Sequence, residues 1–279
     1  MTLKDSPMLK ISVVIVLLMS IGPLVNAQLL IGPKVGVLGS RIVLEDDTDK
    51  DLYDIKPVLG FSAGGSISMK VRDRFFLQTD FLYSRKGKRL TWAEDALLEM
   101  ETVNHYIEVP IIYRVDFRAH LGRDFKYFFG VGPNVSYWLK SSGTLKATEL
   151  LETDIEELEY TANFDYDAAL PNPDQVYIDD PNRLQLGLNI AGGVILEPHG
   201  TSEVIIDIRL ELGHSYLAKS QGGEFKNVVE FQDPMKARVQ SLQLAVAWMW
   251  DTNIAQRKRG KSNINRKKSV KKVGKKKRP

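Results

Sequence analysis

The sequence has no cysteine among its 279 residues. Disulfides, thiol nucleophiles and cysteine-based zinc sites are therefore excluded. Long apolar runs are also scarce, and the mean hydropathy of −0.19 excludes a helical membrane protein. It does not exclude a β-barrel, because half of each barrel strand faces a polar interior. The length leaves room for one β-domain of ordinary barrel size with appendages.

The first 27 residues have the three parts of a secretory signal peptide. Lys4 and Lys10 form a basic front, residues 11–18 an apolar middle, and residues 25–27 a cleavage site of the small-residue type. The apolar part is too short to cross a membrane as a helix. We therefore predict a signal peptide over residues 1–27 and a mature chain that begins near Gln28.

Residues 203–216 show the clearest pattern of the chain. Apolar residues such as Ile206, Ile208 and Leu210 alternate with charged residues such as Asp207 and Arg209, and only Ile205 departs from the alternation. Alternation with a period of two predicts a β-strand with one apolar and one polar face. The segment is also long enough to cross a bilayer, which takes roughly 9 to 11 tilted residues.

Seven further segments share this alternation. The eight predicted strands cover residues 29–43, 56–71, 75–89, 106–117, 126–144, 184–196, 203–216 and 237–250. A closed barrel satisfies all backbone groups of such strands in hydrocarbon. We therefore predict an all-β fold, an eight-stranded antiparallel transmembrane β-barrel over residues 28–250. Residues 146–182 are interpreted as a long irregular connection, and residues 219–234 as a loop.

The connections between these segments alternate in length. Those after the second, fourth and sixth segments are short, and those after the first, third, fifth and seventh are long. Outer-membrane barrels have short periplasmic turns and longer external loops. The pattern predicts an outer-membrane location with both termini in the periplasm, and it places Trp248 and Trp250 in the aromatic girdle of the inner interface.

Charged residues on the polar faces would lie inside the barrel. An eight-stranded barrel is narrow and filled by its own side chains, and a charge in such a space needs a partner. We therefore favour a network of ion pairs over a conductive path. Its predicted members are Lys34, Lys70, Asp80, Glu108, Arg114, Asp116, Asp207, Arg209 and Glu211.

The end of the chain is strongly basic. Residues 257–279 contain 13 lysines and arginines and no acid, which leaves 25 basic against 35 acidic residues elsewhere. We predict that residues 251–279 form a disordered periplasmic tail. It contacts an anionic partner, which could be lipid headgroups, peptidoglycan or an acidic protein patch; the alternative is a solvated extension with no single partner. The residues concerned are Arg257, Lys258, Arg259, Lys261, Arg266, Lys267, Lys268, Lys271, Lys272, Lys275, Lys276, Lys277 and Arg278.

No motif for catalysis, cofactors or metals stands out. Residues 149–180 hold 11 acids and no lysine or arginine, but without the spacing of a calcium loop, so a soluble acidic loop is favoured over a cation or partner site. Residues 149–159 have helical spacing. Gly130 and Gly132 begin a dinucleotide-like pattern that Pro133 ends. The four histidines, of which His105 and His214 could reach the external mouth, lack a linked nucleophile.

Five stretches resemble the PorT-type outer-membrane β-barrel family of Bacteroidetes, with its OmpA/OmpX-like eight-stranded architecture. They are IGPKVGV, GFSAGGSISM, FFLQTDFLYSRKG, HYIEVPIIYRV and YFFGVGPNVSYWL. The resemblance covers residues 28–250 and implies an outer-membrane barrel inserted by barrel-assembly machinery. It leaves a link to type IX secretion open. The basic tail is outside the family pattern.

Together these features predict a non-enzymatic barrel in contact with outer-membrane lipid. It would act as a scaffold or accessory component of an envelope or secretion complex through its tail. Two alternatives stay open, an outer-membrane enzyme with its site at the external rim and a soluble secreted barrel that holds an apolar ligand. The predicted export argues against a nucleic-acid partner, which a basic tail would otherwise suggest.

Overall fold

Each alternating segment of the sequence lies in a β-strand of the computed structural model. The structure describes residues 28–45, 52–92, 97–120, 124–151, 154–164, 174–198, 202–219, 222–225 and 231–252. A short helix, α1, covers Thr148–Leu151. The strands are β1 Leu29–Leu44, β2 Tyr53–Arg72, β3 Phe75–Trp92, β4 Glu99–His120, β5 Asp124–Lys146, β6 Leu158–Asn163, β7 Gln175–Ile178, β8 Leu184–Leu196, β9 Ser202–Tyr216, β10 Gly222–Glu224, β11 Gln232–Pro234 and β12 Ala237–Asp251.

Eight strands close into a ring in the order β1, β2, β3, β4, β5, β8, β9 and β12. Every neighbouring pair is antiparallel, and β12 returns to β1 over a register that runs from Leu30↔Asp251 to Leu44↔Ala237. Closure leaves no unpaired edge in the ring, which a sheet in hydrocarbon requires. The predicted eight-stranded antiparallel barrel is confirmed.

The barrel turns its apolar faces outward. Ile208 is 57% exposed, whereas Arg209, the next residue of β9, is 4% exposed. The same orientation holds around the ring, where the exposed apolar side chains include Ile31, Val35, Val37, Phe61, Ile67, Phe81, Ile107, Ile111, Phe129, Val131, Leu188, Ile190, Leu242, Leu244 and Val246. A soluble barrel around an apolar ligand would need the opposite orientation.

The two ends of the barrel differ. We call the end with the connections β2–β3, β4–β5 and β8–β9 the short-turn end and the opposite end the long-loop end. β4 and β5 are 22 and 23 residues long, about twice the 9 to 11 residues that cross a bilayer. The wall of the barrel therefore continues well past a bilayer, and it does so at the long-loop end.

Four short strands extend the sheet at the long-loop end, and we call β6, β7, β10 and β11 the cap. β6 pairs with residues 142–145 of β5, runs parallel to β7, and is followed in the sheet by β10 and β11. The interpretation of residues 146–182 and 219–234 as irregular is therefore wrong for residues 158–163, 175–178, 222–224 and 232–234, which form strands. Their short apolar stretches are ordered because they are buried in a common core, which includes Leu158, Tyr160, Val176, Ile178 and Met235.

The helical spacing of residues 149–159 yields only α1. The backbone of Asp154 takes a left-handed φ of 60°, and the amide of Ile155 donates to the carbonyl of Leu150 over 3.0 Å. These features end the helix, and the chain then enters β6 at Leu158. None of the helices described in the structure is long and apolar enough to span a membrane. The predicted signal peptide and the tail beyond Thr252 lie outside the described residues.

Candidate functional site

The barrel interior is layered along its axis. An apolar layer at the short-turn end includes Phe76, Ile112, Phe128 and Ile205, which explains the one apolar residue on the polar face of β9. A charged middle layer follows. The long-loop end holds a second apolar core, contributed by the long strands and by the cap.

Four charged side chains form the first group of the middle layer. Lys34 Nζ lies 3.1 Å from Asp80 Oδ2 and 2.5 Å from Asp207 Oδ2. Arg209 donates to the same Asp80 oxygen over 2.7 Å, and the Ser66 hydroxyl donates to the other over 2.6 Å. β1, β2, β3 and β9 each contribute one or more of these residues, so the group links opposite walls of the barrel.

A second group lies closer to the long-loop end. Lys86 donates to Glu108 and to Glu211. Each carboxylate accepts a further hydrogen bond from a neutral group. The Ser84 hydroxyl donates to Glu108 over 2.5 Å, and the Asn134 amide donates to Glu211 over 2.9 Å. One ammonium group thus joins two carboxylates, each with further donors, as buried charges require.

Arg114 belongs to the apolar layer at the short-turn end. Its guanidinium lies 4.7 Å from the ring centre of Phe76 and 5.1 Å from that of Phe128. It also donates to Gln78 over 3.0 Å and to Asp116 over 3.1 Å. Stacking and hydrogen bonding together hold this charge in place.

The structure thus brings eight of the nine sequence-predicted lumen residues into charge contacts. Lys70 is the exception, since it is half-buried and has no carboxylate within 4.0 Å among the described residues. It lines an open cleft of about 600 Å³ at the short-turn end, together with Asp116, Lys126 and Glu203. Lys126 Nζ lies 3.7 Å from Glu203 there.

The sequence reasoning missed Lys86, Lys88, Glu203 and Asp233. The first two could have been found, because Gln78, Asp80 and Ser84 set an inward alternation on β3 that continues through Lys86 and Lys88. Asp233 could not, because it lies in a three-residue strand of the cap without a periodic pattern.

The cap is anchored to the barrel by a buried ion pair. Lys88 on β3 donates to Asp233 on β11, and both side chains are buried. Burial raises the pKa of Asp233, and the Lys88 ammonium offsets only part of that rise. The pKa of Tyr160 is raised well above its ordinary value, mainly by burial and to a smaller extent by the nearby Asp233 carboxylate. No room for a water molecule remains among the described side chains of Lys88, Trp138 and Met235.

The remaining predicted sites are dispersed. Trp248 and Trp250 face outward near the short-turn end, half-exposed. His105 also faces outward, and its Nδ1 lies 2.5 Å from the Tyr83 hydroxyl; His214 is exposed on β9, and His120 lines a cleft at the short-turn end. Within the described residues, no three side chains of the metal-ligating types come together. His199 and the basic tail are outside those residues.

Solved structures similar to this chain are outer-membrane proteins. Neisserial surface protein A is 11% identical, covers 81% of this chain and 99% of its own, and has a TM-score of 0.36. The outer membrane protein OprG from Pseudomonas aeruginosa is 8% identical over 81% and 95%, with a TM-score of 0.40. Ail, the attachment invasion locus protein of Yersinia pestis, is 10% identical over 80% and 99%, with a TM-score of 0.35.

These structural similarities are too weak to carry a functional argument, and the comparison with curated proteins gave no match. The family comparison is decisive, because the model described as "Outer membrane protein beta-barrel domain" matches residues 26–216. That match covers most of the chain and seven of the eight strands of the ring. The chain therefore belongs to the family of outer membrane proteins with this β-barrel domain.

Proposed function

We propose that this outer-membrane protein is a non-enzymatic, non-conducting barrel that serves as a scaffold or accessory component of an envelope complex. Its basic tail binds an anionic partner in the periplasm. The observation that carries this proposal is the filled interior. Ion pairs occupy the middle layer, and the cap closes the long-loop end over the Lys88–Asp233 pair.

The proposed orientation places the long-loop end outside the cell and both termini in the periplasm. The difference in connection length supports it. The Thr252 amide donates to the carbonyl of Leu29 over 3.0 Å, so the two ends of the described barrel meet at the short-turn end. In this orientation Thr252, the last described residue before the tail, lies at the inner face of the membrane.

The tail gives the proposed scaffold its contact. Residues 257–279 contain 13 cations. Each Lys or Arg near an anionic membrane surface contributes about 1 kcal/mol to binding. The PorT-type resemblance makes a type IX secretion complex the first place to look for the partner. An acidic periplasmic protein, peptidoglycan and anionic lipid are the chemistries that fit.

The enzyme alternative has less support. His105 hydrogen-bonds a tyrosine on the outer wall rather than a nucleophile, and His214 is exposed on β9. General acid–base catalysis needs such groups within hydrogen-bonding reach of a nucleophile or substrate in one site. The lumen carboxylates Glu108 and Glu211 are engaged by Lys86 and by neutral donors.

Crosslinked pull-down with and without residues 257–279 tests the proposal. The shortened protein should insert normally and lose its periplasmic partner. In the full chain, that partner should dissociate as salt rises from about 0.1 to 1 M, which shortens the Debye length from about 10 to about 3 Å.

A matched control replaces the 13 tail cations by glutamine and keeps the length of the tail. It should behave like the deletion. Partners that remain bound to both variants at low salt would refute the role of the tail.

A further inference from the structure

The outer wall of the barrel carries a row of basic side chains across three neighbouring strands. In the strand register, Arg85 of β3 lies opposite His105 of β4, which lies opposite Lys140 of β5. All three side chains face outward, and Arg85 and Lys140 are exposed. With strands about 4.8 Å apart, the row is about 10 Å wide.

The row lies where the band of outward apolar side chains ends, on the side of the long-loop end. Outward residues of β4 from Ile107 to Phe117 are all apolar or aromatic, and this stretch of 11 residues matches the 9 to 11 that cross a bilayer. His105 is the next outward residue beyond it. Tyr83 and Tyr137 lie on either side of Ile107, directly below the row.

Two cations of this row are not neutralised. Among the described residues, no carboxylate lies within 4.0 Å of Arg85 or Lys140, whereas two other outward cations near this end, Arg89 and Lys56, are paired with one. Arg89 donates to Glu101, and Lys56 Nζ lies 3.3 Å from Asp54. The row therefore keeps its charge for an external anion.

We propose that Arg85, His105 and Lys140 bind the phosphate of a phosphorylated lipid whose acyl chains lie against Tyr83, Ile107 and Tyr137. The inference rests on the proposed orientation, which makes this the outer leaflet. An amphiphile fits because the cations directly adjoin the lipid-facing surface. An open cleft of about 930 Å³ beside Arg85 and His105 leaves space for a headgroup.

The cleft is also lined by three acidic residues, Glu157, Glu159 and Asp174, and the register places Glu159 farther out than the row. Glu159 is opposite Thr144 in the register, four residues along β5 from Lys140, or about 13 Å. That separation exceeds the screening length of about 8 Å at physiological ionic strength. Glu159 is therefore too far from Lys140 to neutralise it.

Native mass spectrometry of the full chain in detergent, titrated with purified diphosphoryl lipid A, tests the site. The double variant Arg85→Gln and Lys140→Gln should bind the lipid roughly 10- to 30-fold more weakly. The control Arg41→Gln and Lys56→Gln removes the same charge from β1 and β2 and should stay within about twofold. Equal binding by the two double variants would overturn the proposal.

Two further titrations identify the ligand. Dephosphorylated lipid A should bind the unchanged chain and the Arg85 and Lys140 variant equally well. If it still binds the unchanged chain more tightly, the site does not recognise phosphate. Inorganic phosphate at the same concentration should not displace the lipid; displacement would mean a site for free phosphate. Barrel insertion and the tail pull-down are separate readouts, so loss of the lipid site leaves the proposed scaffold function standing.

Discussion

Lys86 and Lys88 are two residues apart on β3 and face the same interior, yet they belong to different regions. Lys86 joins two carboxylates of the charged middle layer, whereas Lys88 reaches one carboxylate of the cap within an apolar core. Where the outer wall is apolar, the inside can be charged. Where the wall continues into water, the inside has to supply the hydrophobic core.

The difference follows from which solvent meets the outer face. In hydrocarbon, the outward apolar side chains need no further burial, and the narrow interior is stabilised by paired charges. Beyond the bilayer, the same strands behave as in a soluble protein and bury residues such as Leu90, Met100 and Trp138 against the cap. One sheet therefore contains a membrane barrel and a water-exposed sandwich-like extension.

The largest effect is expected from Lys86→Met in the middle layer. The substitution leaves Glu108 and Glu211 buried without their shared cation, which costs about 3–5 kcal/mol in the free energy of unfolding. Urea unfolding of the folded protein in detergent micelles, followed by tryptophan fluorescence, measures it. The triple variant with Glu108→Gln and Glu211→Gln should recover most of the loss. A single variant as stable as the unchanged chain would show that this group is not a structural ion-pair site.

A smaller and local effect is expected from Lys88→Met. Asp233 then lacks its cation, but the cap can undock and hydrate the carboxylate, so we expect on the order of 1–3 kcal/mol against docking at pH 7. The barrel itself should unfold at an unchanged urea concentration. Hydrogen exchange in residues 222–225 and 231–235, compared with β12, separates docking from global stability.

The pH dependence of this variant has a defined sign. Burial raises the pKa of Asp233 in the docked cap, so docking takes up a proton and is favoured at low pH. Stability of the docked cap is lost as pH rises through that raised pKa. Lys88→Met removes the offsetting charge, so docking should return as pH falls towards about 4. The double variant with Asp233→Asn should dock at both pH values; pH-independent exchange in the single variant would contradict the assignment.

The sequence was sufficient for the ring and most of the lumen network. Alternation in segments such as residues 203–216, broken only at Ile205, indicates which side chains share a face, and closure then follows from the number of such strands. Lys34, Asp80 and Arg209 could be assigned to one interior without knowing their distances. Their pairing could not, because the register between β1, β3 and β9 sets it.

The cap was beyond sequence reasoning for a physical reason. Strands of three to six residues such as β10 and β6 are too short for a periodic signal. Their order comes from tertiary burial of scattered residues like Phe225 and Met235 rather than from local pattern. Asp233 could not be predicted for the same reason, because its pairing with Lys88 depends on where the cap packs against the barrel.

The smallest effect on stability, and the most direct test of the two regions, comes from spin labels on β1. The chain has no cysteine, so Val35→Cys and Arg41→Cys give single labelling sites. Both residues are exposed on the outer wall, and they are about 20 Å apart along the strand. Each substitution should change the free energy of unfolding by less than about 0.5 kcal/mol.

In lipid bilayers, the label at position 35 should be relaxed by dissolved oxygen and the label at position 41 by a water-soluble nickel complex. The reason is that the apolar band ends between the two positions, while the strand continues into water over the cap. Arg41 contacts Gln240 only over a long 3.4 Å hydrogen bond, so its replacement leaves the wall intact. If oxygen relaxed both labels equally, the long-loop end would lie in the membrane, and the proposed division into a charged membrane layer and a water-exposed apolar core would fail.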